Sequence, residues 1–156
     1  MRFGRGKYLV HLAIGVLIIW PVYRGVKSAY LHPDARLQDY RIVGEYLFEN
    51  TPADTRVGLI EVGIVGYYSK RFVIDFAGLV QPEVGLVLGP EAGYEEAARW
   101  ALLHYQPEFI VINPDWFSRL VHTPAFQDRC RAVHRWDSVE CCGGKLLLYQ
   151  CELTPR

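Results

Sequence analysis

The stretch Arg56–Pro82, RVGLIEVGIVGYYSKRFVIDFAGLVQP, constrains the fold of this chain more than any other. Two short apolar runs, Val57–Ile60 and Phe72–Ile74, each lead into an acidic residue, Glu61 and Asp75, and then into a glycine-bearing turn. Adjacent strands of an α/β sheet read this way when their carboxyl ends carry polar groups. Between the strands predicted at Val57–Glu61 and Phe72–Asp75, Gly63, Gly66 and Tyr67-Tyr68-Ser69 predict a tight turn into a very short helix. A crossover of about ten residues is near the lower limit for a parallel connection, so parallel and antiparallel pairings both stay open.

The rest of the chain supplies partners for these strands. Phe109–Ile112, FIVI, is bounded by Pro107 and by Asn113-Pro114, as expected of a central strand buried on both faces. A helix from Asp34 to Asn50 presents Leu37, Tyr40, Val43 or Gly44, Leu47 and Phe48 at helical spacing, and a second helix is predicted over Glu91–Tyr105. Gly78 and Pro82 flank a loop that Gly85, Gly89, Pro90 and Gly93 are expected to prolong without regular structure. Asp115–Leu120 and Pro124–Asp128 read as one-turn helices or loop. Ala132–Val139 and Lys145–Leu153 read as a hairpin turning at Gly143-Gly144. The 156 residues, 51% of them hydrophobic, suffice for one core. The fold class expected is α/β: a three-layer, mostly parallel sheet with a C-terminal β-hairpin over residues 31–156, preceded by one apolar helix and linker over residues 1–30.

That apolar helix rests on Tyr8–Tyr23, sixteen residues without a charge, slightly short of the roughly 20 a membrane crossing needs. The run is apolar on every face apart from His11, and Lys7, Tyr8, Trp20, Tyr23 and Arg24 stand at its ends like interfacial anchors. A transmembrane helix is the favoured reading. A buried core helix and a cleaved signal peptide compete with it, the latter disfavoured by the bulk of Trp20 to Tyr23. The basic N-terminus, with Arg2, Arg5 and Lys7, favours a cytoplasmic start. The localisation expected is the plasma membrane, single-pass, with the α/β domain extracytoplasmic, which makes the membrane a partner. Seventeen basic residues balance seventeen acidic ones, so no nucleic-acid partner is expected.

Signatures of ordinary catalysis are absent from the sequence. Gly63-Ile-Val-Gly66 lacks the G-x-G-x-x-G pattern, and no Walker lysine, H-E-x-x-H or G-x-S-x-G motif occurs. No cofactor and no catalytic residue is therefore expected. The five histidines have no metal-site spacing, and no metal is expected either. Glu61 and Asp75, at neighbouring strand ends, suit paired acid–base work or binding of a cation or sugar hydroxyls. Carboxylates in such places also form turns and cap helices, and that loop-fixing role is favoured. Gly63, Gly66, Tyr67, Tyr68 and Gly78 complete the candidate binding or loop-fixing set. Cys130, Cys141, Cys142 and Cys151 fall in the last 27 residues. Adjacent Cys141 and Cys142 match zinc spacing poorly, so one or two disulfides and buried free thiols compete, with Cys130 or Cys151 expected to pair with one of the adjacent two.

The order Glu-x-Gly-x-x-Gly-Tyr-Tyr-Ser, Val-Ile-Asp, Gly-Leu-x-x-Pro within Gly58–Val84 resembles the C-terminal soluble domain of bacterial GT-C type membrane glycosyltransferases. These are the mannosyl- and arabinosyltransferase-like enzymes that use polyprenyl-phosphate sugars. Residues Glu61, Gly63, Gly66, Tyr67, Asp75, Gly78, Leu79 and Pro82 carry the match, which extends from Leu12 to Pro82. The resemblance implies an extracytoplasmic domain in glycan or glycolipid assembly, partnered by a multi-spanning glycosyltransferase subunit and an acceptor glycan or glycolipid. In that family the catalytic aspartate lies in the multi-spanning portion, which has no counterpart in this sequence, so no catalytic role carries over. The expectation is a membrane-anchored, non-catalytic accessory or acceptor-binding domain. Two alternatives stand beside it: a small hydrolase or sugar-modifying enzyme using Glu61 and Asp75, and an interaction module presenting Tyr67, Tyr68, Trp116 and Phe117.

Overall fold

The computed structural model of the chain describes residues 4–31, 34–88, 93–137 and 142–152. They divide into two compact units, Met1–Asp34 and Ala35–Arg156. The first holds one helix, α1 (Gly4–Leu31), with Pro21 inside it. Among the described residues no helix is long and apolar enough to cross a membrane. The single-pass plasma-membrane localisation expected from Tyr8–Tyr23 is corrected accordingly, and the extracytoplasmic side assigned on the same helix loses its basis. The physical reason is visible in α1 itself: its charge-free run includes His11 and Pro21 and ends at Arg24, with Lys27 one turn further on.

The second unit follows the order α2 (Ala35–Asn50), β1 (Arg56–Leu59), α3 (Val62–Ser69), β2 (Phe72–Asp75), α4 (Pro82–Val87), α5 (Tyr94–Tyr105), β3 (Phe109–Ile112), α6 (Ser118–Val121), α7 (Pro124–Gln127), β4 (Cys130–Trp136) and β5 (Leu146–Cys151). Its mixed α/β fold centres on one five-stranded sheet in the order β2-β1-β3-β5-β4. β1 pairs in parallel with β2 and with β3. β5 runs antiparallel to β3 on one side and to β4 on the other. The sheet is thus mixed rather than mostly parallel, because the terminal hairpin joins it through its second strand. The hairpin was legible, with shorter strands than expected; residues 138–141 lie outside the described residues.

Side-chain alternation along the strands separates two apolar clusters. Val57, Leu59, Val111, Leu146 and Leu148 point to the face where α2 contributes Tyr40, Val43 and Leu47 and α3 contributes Val65. Ile74, Ile110, Ile112 and Tyr149 point to the other, packing with Ala97, Ala98, Ala101 and Leu102 of α5, Leu120 of α6 and Phe126 of α7. FIVI therefore feeds both clusters, which is why it carries no polar residue. Leu37 and Phe48, counted on the apolar stripe of α2 from sequence, are exposed, and Tyr40, Val43 and Leu47 form the buried stripe.

Two local differences from the sequence reading have clear causes. The segment after Pro82 is helical over Pro82–Val87 despite Gly85. Proline opens that turn, its missing N–H being one a first helical turn leaves unbonded anyway. A β-carbon on Gly78, whose φ is +68°, would meet the backbone of Gly85 at 2.5 Å, so the two glycines let loop and helix touch. The helix expected from Glu91 begins at Tyr94, with residues 89–92 outside the described residues.

Candidate functional site

β1 and β3 lie side by side and parallel, so their carboxyl ends share one edge of the sheet. From β1 the chain leaves through α3 toward β2; from β3 it leaves through α6 and α7 toward β4, on the opposite side. Connections that diverge from adjacent parallel strands open a crevice between them, the usual ligand position in open α/β sheets. Here a crevice of about 50 Å³ lies at that point. Leu59, Val65, Val111, Ile112, Phe117 and Leu146 line it with apolar surface, and Tyr40 and Val43 of α2 close one side.

Polar groups gather at its mouth. Glu61 follows β1 as the N-cap residue of α3, is exposed, and makes no side-chain capping bond to that helix. Asn113 follows β3 and is buried; its side-chain oxygen accepts the Asp115 N–H at 2.8 Å, while its carbonyl accepts the N–H groups of Trp116 and Phe117 at 3.2 Å. These bonds fold residues 113–117 into a tight turn that buries Phe117 and leaves the Trp116 indole 56% exposed. Lys145, just before β5, reaches the Asp115 carboxylate at 2.9 Å. Burial, and then the Asp115 charge, push the Tyr149 phenol above its usual range.

Asp75 has a different task. It is fully buried, and its two carboxylate oxygens accept the N–H groups of Ala77 and Val80, each at 2.8 Å. Its own N–H donates to Gln81 Oε1 at 2.6 Å. The carboxylate holds loop 75–81 in shape and faces no open site. Asp75 pairs in register with Leu59, two residues before Glu61. Asp75 ends β2, while Glu61 lies two residues past the end of the adjacent β1, which is shorter than the strand expected to Glu61, and only Glu61 opens on the crevice.

The remaining sequence candidates spread along α3 and the loop after β2. A β-carbon on Gly63 meets nothing within 4 Å, whereas one on Gly66 comes within 3.2 Å of Val73 Cγ2. Tyr67 is 76% exposed and meets the Tyr68 ring edge-on at 5.1 Å. The Arg41 guanidinium sits 5.1 Å from the centre of the Tyr68 ring. Neither tyrosine lines the crevice. Cys130 and Cys151, opposite each other in the β4–β5 register, form a disulfide with one another. Cys141 lies outside the described residues, as does the side chain of Cys142.

The sequence puts both Trp116 and Phe117 on a contact surface; Trp116 is exposed, but Phe117 is buried in the turn, and Asn113 is not among the expected site residues. Their signal was their position: Asn113-Pro114-Asp115-Trp116 directly follows the most apolar strand of the chain. Among the described residues, no group of three or more histidine, cysteine, aspartate or glutamate side chains is placed to hold a metal ion.

A family model described as a domain of unknown function, DUF8728, matches residues 29–150, more than three quarters of the chain. The chain belongs to the DUF8728 family. Every residue lining the crevice falls within the DUF8728 match. No curated protein and no solved structure matches the chain.

Proposed function

We propose that this DUF8728 domain is a non-catalytic, acceptor-binding accessory domain that works beside a glycosyltransferase and holds a glycan at the crevice between β1 and β3. The observation that carries the reading is the pairing of an exposed indole, Trp116, with an exposed carboxylate, Glu61, on the two sides of an apolar crevice at the sheet's carboxyl edge. A pyranose has an apolar face and a rim of hydroxyls. The indole suits the face, and the carboxylate accepts from the rim. At about 50 Å³ the crevice is well below the ~300–1,000 Å³ of sites that enclose a small molecule, so the ring would lie across the mouth.

The burial of Asp75 and the engagement of Asp115 by Lys145 support a binding role over a hydrolytic one. Glycosidase chemistry needs a second carboxyl group across the scissile bond, and Asp75 is buried with both oxygens bonded to backbone amides. The kinship to the soluble tail of GT-C enzymes belongs to the same proposal, supported by the ordered motif from Glu61 to Pro82. So does a three-layer description of the fold, supported by the apolar clusters on the two faces of the sheet.

The test is a titration of the full chain with mannose- and arabinose-containing oligosaccharides, followed by Trp116 signals. Saturable binding with Kd on the order of 0.1–1 mM is expected, corresponding to roughly 4–5.5 kcal/mol. Trp116→Ala should weaken it by at least about tenfold, and Glu61→Gln by about three- to tenfold. Wild-type affinity retained in both variants would remove the crevice from the account.

A further inference from the structure

The crevice is walled on one side by the terminal hairpin, whose turn does more than reverse the chain. Gly143 and Gly144 both lie in the left-handed region, at φ of 71° and 84°. Their surroundings differ. A β-carbon on Gly143 would come within 3.1 Å of Asn113 Nδ2 and 3.5 Å of Trp116 Nε1, whereas one on Gly144 would meet nothing within 4 Å. The next two residues continue the contact: Lys145 Nζ lies 3.0 and 2.9 Å from the two carboxylate oxygens of Asp115, and Leu146 lines the crevice. The hairpin turn thus packs against the same short loop that carries the exposed indole, meeting its polar edge.

We infer that this turn is the positioning element for Trp116, with Gly143 as the residue that sets the ring and the Asp115–Lys145 ion pair as its latch. The inference rests on the glycan reading for its consequence in binding, but its claim about the ring stands apart from any ligand. An indole more than half exposed on a short turn keeps its side-chain freedom unless something holds an edge. Stacking a sugar on a mobile ring orders it at the moment of binding, which weakens affinity by roughly three- to tenfold relative to a ring already held. Glycine at 143 supplies the close approach that holds it. Any other residue there adds a β-carbon against Asn113 and Trp116 as well as backbone strain.

The pair of glycines provides its own control. Gly143→Ala and Gly144→Ala both place alanine at positive φ, but only the first presses on Asn113 and Trp116. In the ¹⁵N-labelled full chain, the Trp116 indole N–H resonance is assigned by its loss in Trp116→Phe and then followed in both variants. Gly143→Ala is expected to shift or broaden that resonance and to weaken oligosaccharide binding about three- to tenfold. Gly144→Ala should leave both at the wild-type level. Lys145→Met, which keeps the turn, should move the resonance in the same direction by less, and it carries the test should Gly143→Ala fail to fold. An unmoved indole in Gly143→Ala and Lys145→Met overturns the inference, as does an equal change in the two glycine variants. A shifted indole with unchanged affinity for the oligosaccharide overturns its consequence for binding. If the wild type binds no oligosaccharide while Gly143→Ala alone moves the indole, the positioning claim stands and the glycan reading falls.

Discussion

Asp75, which the sequence pairs with Glu61 as a candidate acid–base partner while favouring a loop-fixing role, fixes a loop in the structure. Its carboxylate accepts two backbone N–H groups, fixing the loop that follows β2. Replacing it with alanine removes the acceptor of two part-buried N–H bonds, at a cost of about 1–3 kcal/mol. Asp75→Ala should therefore lower the urea midpoint and speed hydrogen exchange at Ala77 and Val80, with no change in oligosaccharide affinity at the crevice. Retained stability would show that the loop is held by other means, and lost affinity would return Asp75 to the site. The contrast with Glu61 shows what strand-end position does and does not reveal. Asp75 ends its strand and Glu61 lies just past one, but only the acid followed directly by a helix start is left exposed, and pattern alone does not tell loop bonds from open space.

The packing of α2 on α3 turns on one glycine. A β-carbon on Gly44 would come within 2.7 Å of Tyr68 Cβ and 3.1 Å of the Val65 carbonyl, so the two helices approach at this point as only glycine allows. Gly44→Ala should lose about 1–3 kcal/mol from the forced separation, outweighing the gain in helix propensity of up to ~1 kcal/mol. Gly63→Ala, within α3 and facing open space, keeps only the gain and should be neutral or stabilising. Thermal midpoints of the two variants check the opposite signs; the same sign in both would refute this packing account. Elements with an uninterrupted pattern were legible from sequence. Phe109–Ile112 is apolar because it feeds both clusters, and Pro107 marks the end of α5. What sequence left open were features set by distant contacts. The twelve residues Ile60–Arg71 form a parallel crossover whose helix α3 packs on α2, and α4 starts at Pro82 where Gly78 and Gly85 approach closely. The pairing of Cys130 with Cys151 follows from strand register, which cysteine spacing does not encode.

At the scale of the molecule the two ends of the sheet differ. The amino ends of β1 and β3 are clamped: Arg56 Nη2 lies 2.7 Å from Glu108 Oε1, its backbone N–H donates to Glu108 Oε2 at 2.7 Å, and its Nη1 donates to the Tyr105 carbonyl at 2.8 Å. Burial pushes the Glu108 carboxyl up, but hydrogen bonds from the Arg56 side chain and backbone outweigh it and hold the group below its ordinary 4.5. Glu95 is held low in the same way, burial being outweighed by bonds from Arg119 and the Leu120 N–H at the start of α6. A carboxyl depressed in the fold contributes stability above its unfolded value, and that contribution is lost as pH falls through the folded one. Denaturation midpoints should therefore drop between about pH 5 and 3, and Glu108→Gln should flatten that drop while costing about 1–2 kcal/mol at neutral pH. An acid profile identical to wild type would contradict the clamp. The carboxyl ends, by contrast, carry the crevice, where exposed polar groups and an indole sit on a fixed frame. Both the motif that ends β1 and the turn that follows β3 were visible in the sequence. Their meeting was not, because the order β2-β1-β3 is written in no local segment.

The measurement that bears most directly on this division is backbone chemical-shift mapping of the full chain titrated with a mannose- or arabinose-containing oligosaccharide. Saturable shifts confined to Ile60–Val65, Ile112–Phe117 and Gly143–Leu146, around the crevice, are expected, with Arg56 and Glu108 unmoved at the clamped end. Shifts centred on Tyr67, on the clamped end, or nowhere would contradict this expectation.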